Sequence, residues 1–417
     1  MGPTSPKQTP SQPLADEQQE KSSQEFTEQS LAEERLKKLH AYQEAGFTAY
    51  PYSFSKSHST LQIHQQFHAH ATHEPTIEHV AIAGRILQLR RMGKVTFMHL
   101  QDQEGKIQLY FRENDLGYEL YAQLKLLDLG DLLGVSGPLF KTKTGELTLY
   151  VKTFTLLAKC LLPLPEKYHG LKDKELRYRQ RYLDLIVNPE VKKTFFIRSA
   201  IIKYIRSYLE HHGFLEVETP TLQPVYGGGN AKPFVTHHAA LNLDLYLRIS
   251  NELYLKRLLV GGFEKVYEIV KNFRNEGIDA THNPEFTAIE WYEAYGDYTV
   301  GMQRVEELIA GLAVVLYGTT KIQYQGKQLD LTPPWKRLTM LEAIKTYAGF
   351  DAKDASSAEL QEYLTKHHIP FDPNASKGIL IQTLFEATCE PHFWDPVFIL
   401  DHPIETTPLC KPLRSGD

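Results

Sequence analysis

The sequence predicts an α+β protein: a small five-stranded β-barrel followed by a larger domain built around an antiparallel sheet. Three observations carry this. Within residues 80–157 the chain runs as five short segments, VAIAGRILQL, KVTFMHLQD, GKIQLYFRE, DLLGVSGPLF and ELTLYVKTFTLL, alternating in polarity with glycines between them. That is the pattern of a small closed sheet. From residue 194 onward, helical periodicities mix with longer strands, as in an α+β domain. Residues 266–295 hold two long alternating runs around a polar loop, which reads as a β-hairpin.

Composition bounds the rest. A chain of 417 residues can hold two or three domains with sizeable cores. The net charge of −5 argues against a protein that simply coats nucleic acid, so any RNA contact must rest on a local patch. Cys160, Cys389 and Cys410 are far apart and fit neither a disulfide framework nor zinc spacing. A reducing, cytoplasmic setting is expected. The most apolar run, residues 308–317, is about half the ~20 residues of a membrane span. The N-terminus lacks the apolar run of a secretion signal.

Residues 1–27 carry four prolines among many Gln and Ser, so a disordered tail is expected there. Residues 28–79 form an N-terminal helical region. Leu31, Leu36, Leu39 and Tyr42 make an amphipathic helix that stops at Gly46. Six histidines fall within residues 58–79, but their spacing matches no ligand pattern and no cysteine joins them. A helix and loop with solvated histidines is expected. The barrel occupies 80–160. A Pro-containing link and a basic helix, RYRQRYLDLI (177–186), fill 161–193, and the second domain runs over 194–417.

Strand parity sorts the barrel residues into two faces. Met98, Leu100, Ile107, Leu109, Phe111, Ile82 and Ile86 point inward. The outer face gathers Arg85, Phe97, His99, Gln108 and Tyr110, with Gln101 beside them. Exposed rings next to Arg and Gln suit unpaired bases, which stack on the rings and are read at their edges. Parity equally allows Phe97 and Tyr110 to pack beneath a neighbouring element.

In the hairpin, Ile269, Phe273, Ile289 and Trp291 form apolar faces. The opposite face presents Arg274, Glu276, Phe286, Glu290 and Tyr292, with Glu268 and Asn272 sharing their parity. A cation, carboxylates and aromatics on one sheet face are costly unless something binds there. The alternative is a solvated outer face with incidental ion pairs.

FRNE (273–276) followed by HNPEF (282–286) resembles motif 2 of the class II aminoacyl-tRNA synthetases. FIRSAIIKYIRSYLEHHGFLEVETPTL (196–222) resembles motif 1, the element that builds the family's dimer interface. Residues 227–262 and the basic run 177–186 are similar to subclass IIb, and to its bacterial lysine-specific members more than to the aspartate and asparagine ones. The resemblance implies an OB-fold anticodon-binding barrel and a class II catalytic domain. It implies that L-lysine is activated with ATP and Mg²⁺ and passed to tRNA(Lys) by a cytoplasmic homodimer without membrane contact. It assigns Arg274 to the ATP α-phosphate as the one catalytic side chain, and Asn275, Glu276, His282, Asn283 and Phe286 to the rest of ATP. It assigns Gly228, Glu252, Glu290 and Tyr292 to lysine, and the outer barrel face to the anticodon. Glu252 also reads as a capping acid of the helix ELYLKRLL.

Three departures stand out. Tyr226-Gly227-Gly228-Gly229 replaces the family's Pro-Gly-Gly-Ala, and Ser250-Asn251 replaces Ala-Pro before Glu252. The resemblance also stops before motif 3, whose arginine and magnesium carboxylates are not found in these 417 residues. Weak or absent activity of the chain as it stands is expected, and an RNA-binding module remains an alternative. An aspartate or asparagine ligase is disfavoured, because a carboxylate-lined pocket repels an acidic side chain.

Overall fold

The computed structural model describes residues 14–67, 72–76, 78–165, 171–407 and 410–412, with side chains from residue 29 onward. It divides into two compact units, Met1–Val191 and Lys192–Asp417.

The first unit opens with helix α1 (Leu14–Glu44). It starts well upstream of residue 28, where the periodicity places it. Residues 14–26 are rich in Leu, Ala, Glu, Gln and Lys, whose helix propensity does not depend on an apolar stripe. Of the disordered tail expected over residues 1–27, residues 14–27 are helical, and residues 1–13 lie outside the described residues. The helix ends where Gly46 takes a left-handed φ of 79° and the Phe47 amide donates to the Tyr42 carbonyl. Leu39 and Tyr42 are buried, whereas Leu31 and Leu36 stay exposed. A short helix, α2 (Thr60–Phe67), buries Ile63 against the barrel core.

The barrel strands are β1 (His79–Met92), β2 (Val95–Gln101), β3 (Lys106–Arg112), β4 (Leu132–Lys141), β5 (Leu147–Tyr150) and β6 (Thr153–Ala158). Their order is β1-β2-β3-β5-β4-β6, and a β1–β4 pairing closes the sheet. Two helical turns, α3 (Glu113–Leu116) and α4 (Tyr118–Ala122), precede β4. The expected fifth strand is two strands. Val151 donates to the Tyr110 carbonyl, and Lys152 donates to the Ser136 carbonyl, so the chain changes partner between them. It crosses β4 at Gly137, where any Cβ would overlap the Tyr150 carbonyl oxygen. The inward residues named from parity fill the core. Gln101 is the exception: grouped with the outer face, it is buried.

His64 and His73 bond the barrel carbonyls of Lys106 and Lys141, each at 3.0 Å. Among the described residues no cluster of His, Cys, Asp or Glu could hold a metal ion. His68 and His70 lie outside the described residues. The basic stretch forms two helices, α5 (Lys174–Arg179) and α6 (Arg181–Val187). Buried Asp184 ties them, accepting from Arg177 at 2.9 Å, Asn188 at 2.7 Å and Arg181.

The second unit begins with α7 (Val191–His211), followed by β7 (Leu215–Glu216), β8 (Leu222–Gln223), β9 (Val235–His238) and β10 (Leu243–Leu247). Next come α8 (Glu252–Val260), β11 (Lys265–Phe273), β12 (Glu285–Glu293) and α9 (Tyr298–Tyr317). The antiparallel β11–β12 hairpin adds β7 in parallel at its edge, and β8, β10 and β9 form a second small sheet. Ile205, Tyr208 and Leu209 of α7 pack on Tyr267, Ile269, Ile289 and Trp291, so the hairpin partly buries most of the apolar face its alternation defines.

A hairpin, β13 (Lys321–Tyr324) and β14 (Lys327–Asp330), leads to β15 (Lys336–Thr339), which pairs in parallel with β16 (Val397–Leu400). Between those two strands, α10 (Met340–Tyr347), α11 (Ser357–Lys366) and α12 (Lys377–Thr388) enclose their own core of Ile344, Leu360, Leu364, Leu380 and Leu384. Capping boxes at Thr339/Glu342 and Ser356/Glu359 fix the starts of α10 and α11. Among the described residues no helix is long and apolar enough to cross a membrane.

Candidate functional site

The hairpin register pairs Glu268 with Glu290, Val266 with Tyr292 and Asn272 with Phe286. These residues therefore share one face, as parity requires. Glu268 and Asn272 are nevertheless buried rather than presented, at 4% and 3% exposure. Glu268 accepts from the Thr219 amide and hydroxyl at 2.9 and 2.7 Å, from Arg248 at 3.0 Å and from Asn251 at 3.0 Å. Alternation within a hairpin cannot reveal that a neighbouring segment covers one end of its face. The buried Arg248–Glu268 pair ties the turn before α8 to the sheet, and losing either member would strand a charge.

That turn sets the position of Glu252, the first residue of α8. The Glu252 amide donates to the Ser250 hydroxyl at 3.1 Å. Its carboxylate stands in the first turn of α8 and pairs with Lys256, one turn on. Gly228 has a left-handed φ of 82°, and a Cβ there would lie 3.1 Å from the Glu252 Cβ. Only glycine lets the loop pass this close. On β12 the Tyr292 hydroxyl donates to Glu290 at 2.6 Å. Burial, reinforced by the Glu290 carboxylate, pushes the Tyr292 phenol far above its ordinary range, so it stays a donor. The Lys256 ammonium lies 5.8 Å over the Tyr292 ring. Gly228, Glu252, Glu290 and Tyr292 thus form one connected group with two carboxylates.

Arg274 follows β11 directly. Its amide donates to the Pro284 carbonyl at 2.9 Å, closing the base of the loop. Its guanidinium lies 5.1 Å over the Phe286 ring. Asn275 donates its amide to the Lys232 carbonyl at 2.7 Å, and Glu276 is exposed beside it. His282 pairs through its ring with Asp279 at 2.8 Å. Hydrogen bonds from Thr281, then from His282, hold the Asp279 carboxyl well below the usual range. Asn283 donates to the Glu285 carbonyl at 2.5 Å. Arg274 and Phe286 are therefore adjacent, while Glu276, His282 and Asn283 are exposed along the loop. The Asp279 turn went unread in the sequence, although Asp two residues before Thr is a turn signal.

On the barrel, cross-strand pairing builds two rows. Arg90, Phe97, Tyr110 and Tyr150 form one; Gln88, His99, Gln108 and Thr148 form the other. Tyr110 sits 5.2 Å from both Phe97 and Tyr150, and 5.6 Å from Phe140. Glu146 accepts from Gln108 at 2.7 Å and bonds His99 at 3.0 Å. Phe97, His99, Gln108 and Tyr110 come together, and the rings remain partly exposed. Arg85 lies further along β1, opposite Gln101, and donates to the Gly130 carbonyl at 2.6 Å. Tyr150, Phe140 and Glu146 were missed because they reach this face only through the β5 pairings.

Mg²⁺ finds no donor set of three or more carboxylate or histidine side chains among the described residues.

Both domains match described families. Residues 80–157 match the family described as OB-fold nucleic acid binding domain. Residues 173–417 match tRNA synthetases class II (D, K and N). The lysine–tRNA ligase of Moorella thermoacetica is 53% identical over 385 residues, covering 92% of this chain and 78% of the relative. That of Pelotomaculum thermopropionicum is 52% identical over 380 residues, covering 90% and 74%. That of Clostridium botulinum is 48% identical over 399 residues, covering 94% and 78%. With a barrel and hairpin of this kind and relatives this similar along most of its length, the chain belongs to the lysine–tRNA ligase family of the class II tRNA synthetases.

Proposed function

We propose that the chain activates L-lysine with ATP to lysyl-adenylate and then transfers the lysyl group to tRNA(Lys), using Arg274 and the two-carboxylate group. In the first step a lysine carboxylate oxygen attacks the α-phosphorus and pyrophosphate leaves. In the second, a hydroxyl of the terminal tRNA ribose attacks the lysyl carbonyl and AMP leaves. The first nucleophile is already an anion, so no protein base is needed. Rate comes from holding the reactants in line and from stabilising charge on the phosphate.

Arg274 would grip the α-phosphate with its bidentate guanidinium. Phe286 would stack on adenine, and Asn275, Glu276, His282 and Asn283 would meet the rest of the nucleotide. Mg²⁺ belongs to this reading only as the counter-ion that ATP brings. Glu252 near Gly228 would take the α-ammonium of lysine, and Glu290 with Tyr292 the side-chain ammonium. The observation that carries the reading is that pair of carboxylates: two ammonium groups satisfy them, whereas a neutral or acidic side chain would leave a shielded charge alone. On the barrel, Phe97 and Tyr110 would stack anticodon bases, and His99 and Gln108 would read their edges, with Arg85 at the margin. A homodimer through residues 196–220 completes the proposal, supported by the exposed apolar side chains of Phe196 and Leu215.

The test is amino-acid-dependent ATP–pyrophosphate exchange across all twenty amino acids. Any exchange the chain supports is expected with lysine alone. Exchange with aspartate or asparagine would overturn the assignment of Glu252 and Glu290. No exchange, with tRNA binding retained, would leave an RNA-binding module.

A further inference from the structure

We propose that Lys256 is a built-in stand-in for the substrate: in the empty pocket its ammonium occupies the Glu252 carboxylate, and bound lysine must displace it. This rests on the reading of Glu252 and Glu290 as the lysine pocket.

The pairing is asymmetric. The Glu252 side chain is only 19% exposed, while that of Lys256 is 50% exposed. A shielded carboxylate without a partner is costly, and Lys256 stands one turn further along α8, in the favoured Glu-before-Lys order. The contact is more than a helix-surface pair, because the same ammonium faces the Tyr292 ring, whose hydroxyl is bonded to Glu290. An ammonium on a four-carbon tether therefore sits on Glu252, 5.8 Å from the Tyr292 ring. That is the chemistry the substrate brings.

One carboxylate cannot give its full attraction to two cations. The apparent affinity for lysine is then lowered by the fraction of time Lys256 holds Glu252. Being half exposed, Lys256 can swing into water when it is displaced. The consequence is selective. A ligand with an α-ammonium must compete with Lys256, whereas a ligand carrying only a terminal ammonium need not.

The test is calorimetric titration of the full chain and of its Lys256→Met and Lys256→Arg variants with L-lysine and with 6-aminohexanoate, which lacks the α-ammonium. Lys256→Met is expected to bind lysine roughly two- to fivefold more tightly, with 6-aminohexanoate unchanged. Lys256→Arg should match the unaltered chain with both ligands. An equal shift for both ligands would reveal a general field or folding effect and overturn the proposal. Weaker or unchanged lysine binding by Lys256→Met would overturn it too. If the unaltered chain binds no lysine, the pocket assignment itself fails, which is distinct from a lysine-binding chain indifferent to Lys256.

Discussion

The Arg274 guanidinium lies 5.1 Å over the ring of Phe286, across the closed base of the β11–β12 loop. The Arg274 backbone is fixed by its bond to Pro284, while its side chain is exposed. The guanidinium thus rests on the surface proposed for adenine, and nucleotide binding would exchange it for the purine as it moves to the phosphate. Arg274→Ala is expected to lower lysine-dependent exchange by about 10²–10³-fold, the usual effect of removing a group that stabilises developing charge. Arg274→Lys should recover little, since a point charge lacks the fork. The thermal midpoint should hold, because the side chain is exposed. An Ala variant exchanging at close to the original rate would remove Arg274 from the site.

Glu290 and Tyr292 act as one hydrogen-bonded pair at 2.6 Å. Glu290→Gln is expected to weaken lysine binding by about 2–4 kcal/mol, because a desolvated ammonium loses its counter-charge. Tyr292→Phe removes one donor and should cost about 1 kcal/mol. Titration with lysine measures both, and a larger loss from Phe than from Gln would reverse their order of importance.

Phe97 packs against Tyr110 at 5.2 Å, the rings tilted, and keeps part of its ring exposed. Replacing it with Ala should cost about 1–3 kcal/mol of tRNA(Lys) affinity if it stacks one base. Direct binding of tRNA transcripts reads this. An unchanged affinity, with an unchanged melting curve, would return Phe97 to a packing role.

Much of this was legible because alternation and burial share a cause. Met98, Leu100, Leu109 and Phe111 point inward as their parity requires, and Ile269, Ile289 and Trp291 meet α7. What parity could not give was the third dimension. Glu268 and Asn272 share the exposed parity but are buried, Glu268 by the turn at Arg248 and Asn251, contacts about twenty residues apart in the chain. The break between β5 and β6 depends on Gly137 meeting Tyr150, which no local pattern announces. The Glu252–Lys256 pair was different: its i,i+4 spacing was visible, but its meaning needed Tyr292 beside it. The roles given to Arg274 and Glu252 came from motif resemblance, because chemistry is not encoded in periodicity.

Glu293, at the end of β12, gives the clearest pH dependence. Its carboxylate accepts from Arg304 of α9 at 2.5 and 2.6 Å and pairs with Lys265 at 2.9 Å. The Arg304 hydrogen bonds, working against burial and aided by Lys265, hold its pKa at about 2, against an ordinary 4.5. The folded state therefore binds this proton less readily than the unfolded chain. The stabilisation is fully present above pH 4.5 and fades as pH falls towards 2. It is on the order of 3 kcal/mol, since the side chain is largely shielded. Urea unfolding of the unaltered chain and of Glu293→Gln should show a wide stability gap at neutral pH that narrows steadily below pH 4.5. A gap of constant size down to pH 3 would mean that shape, and not charge, makes Glu293 matter, and that the β12–α9 junction does not depend on its ion pair.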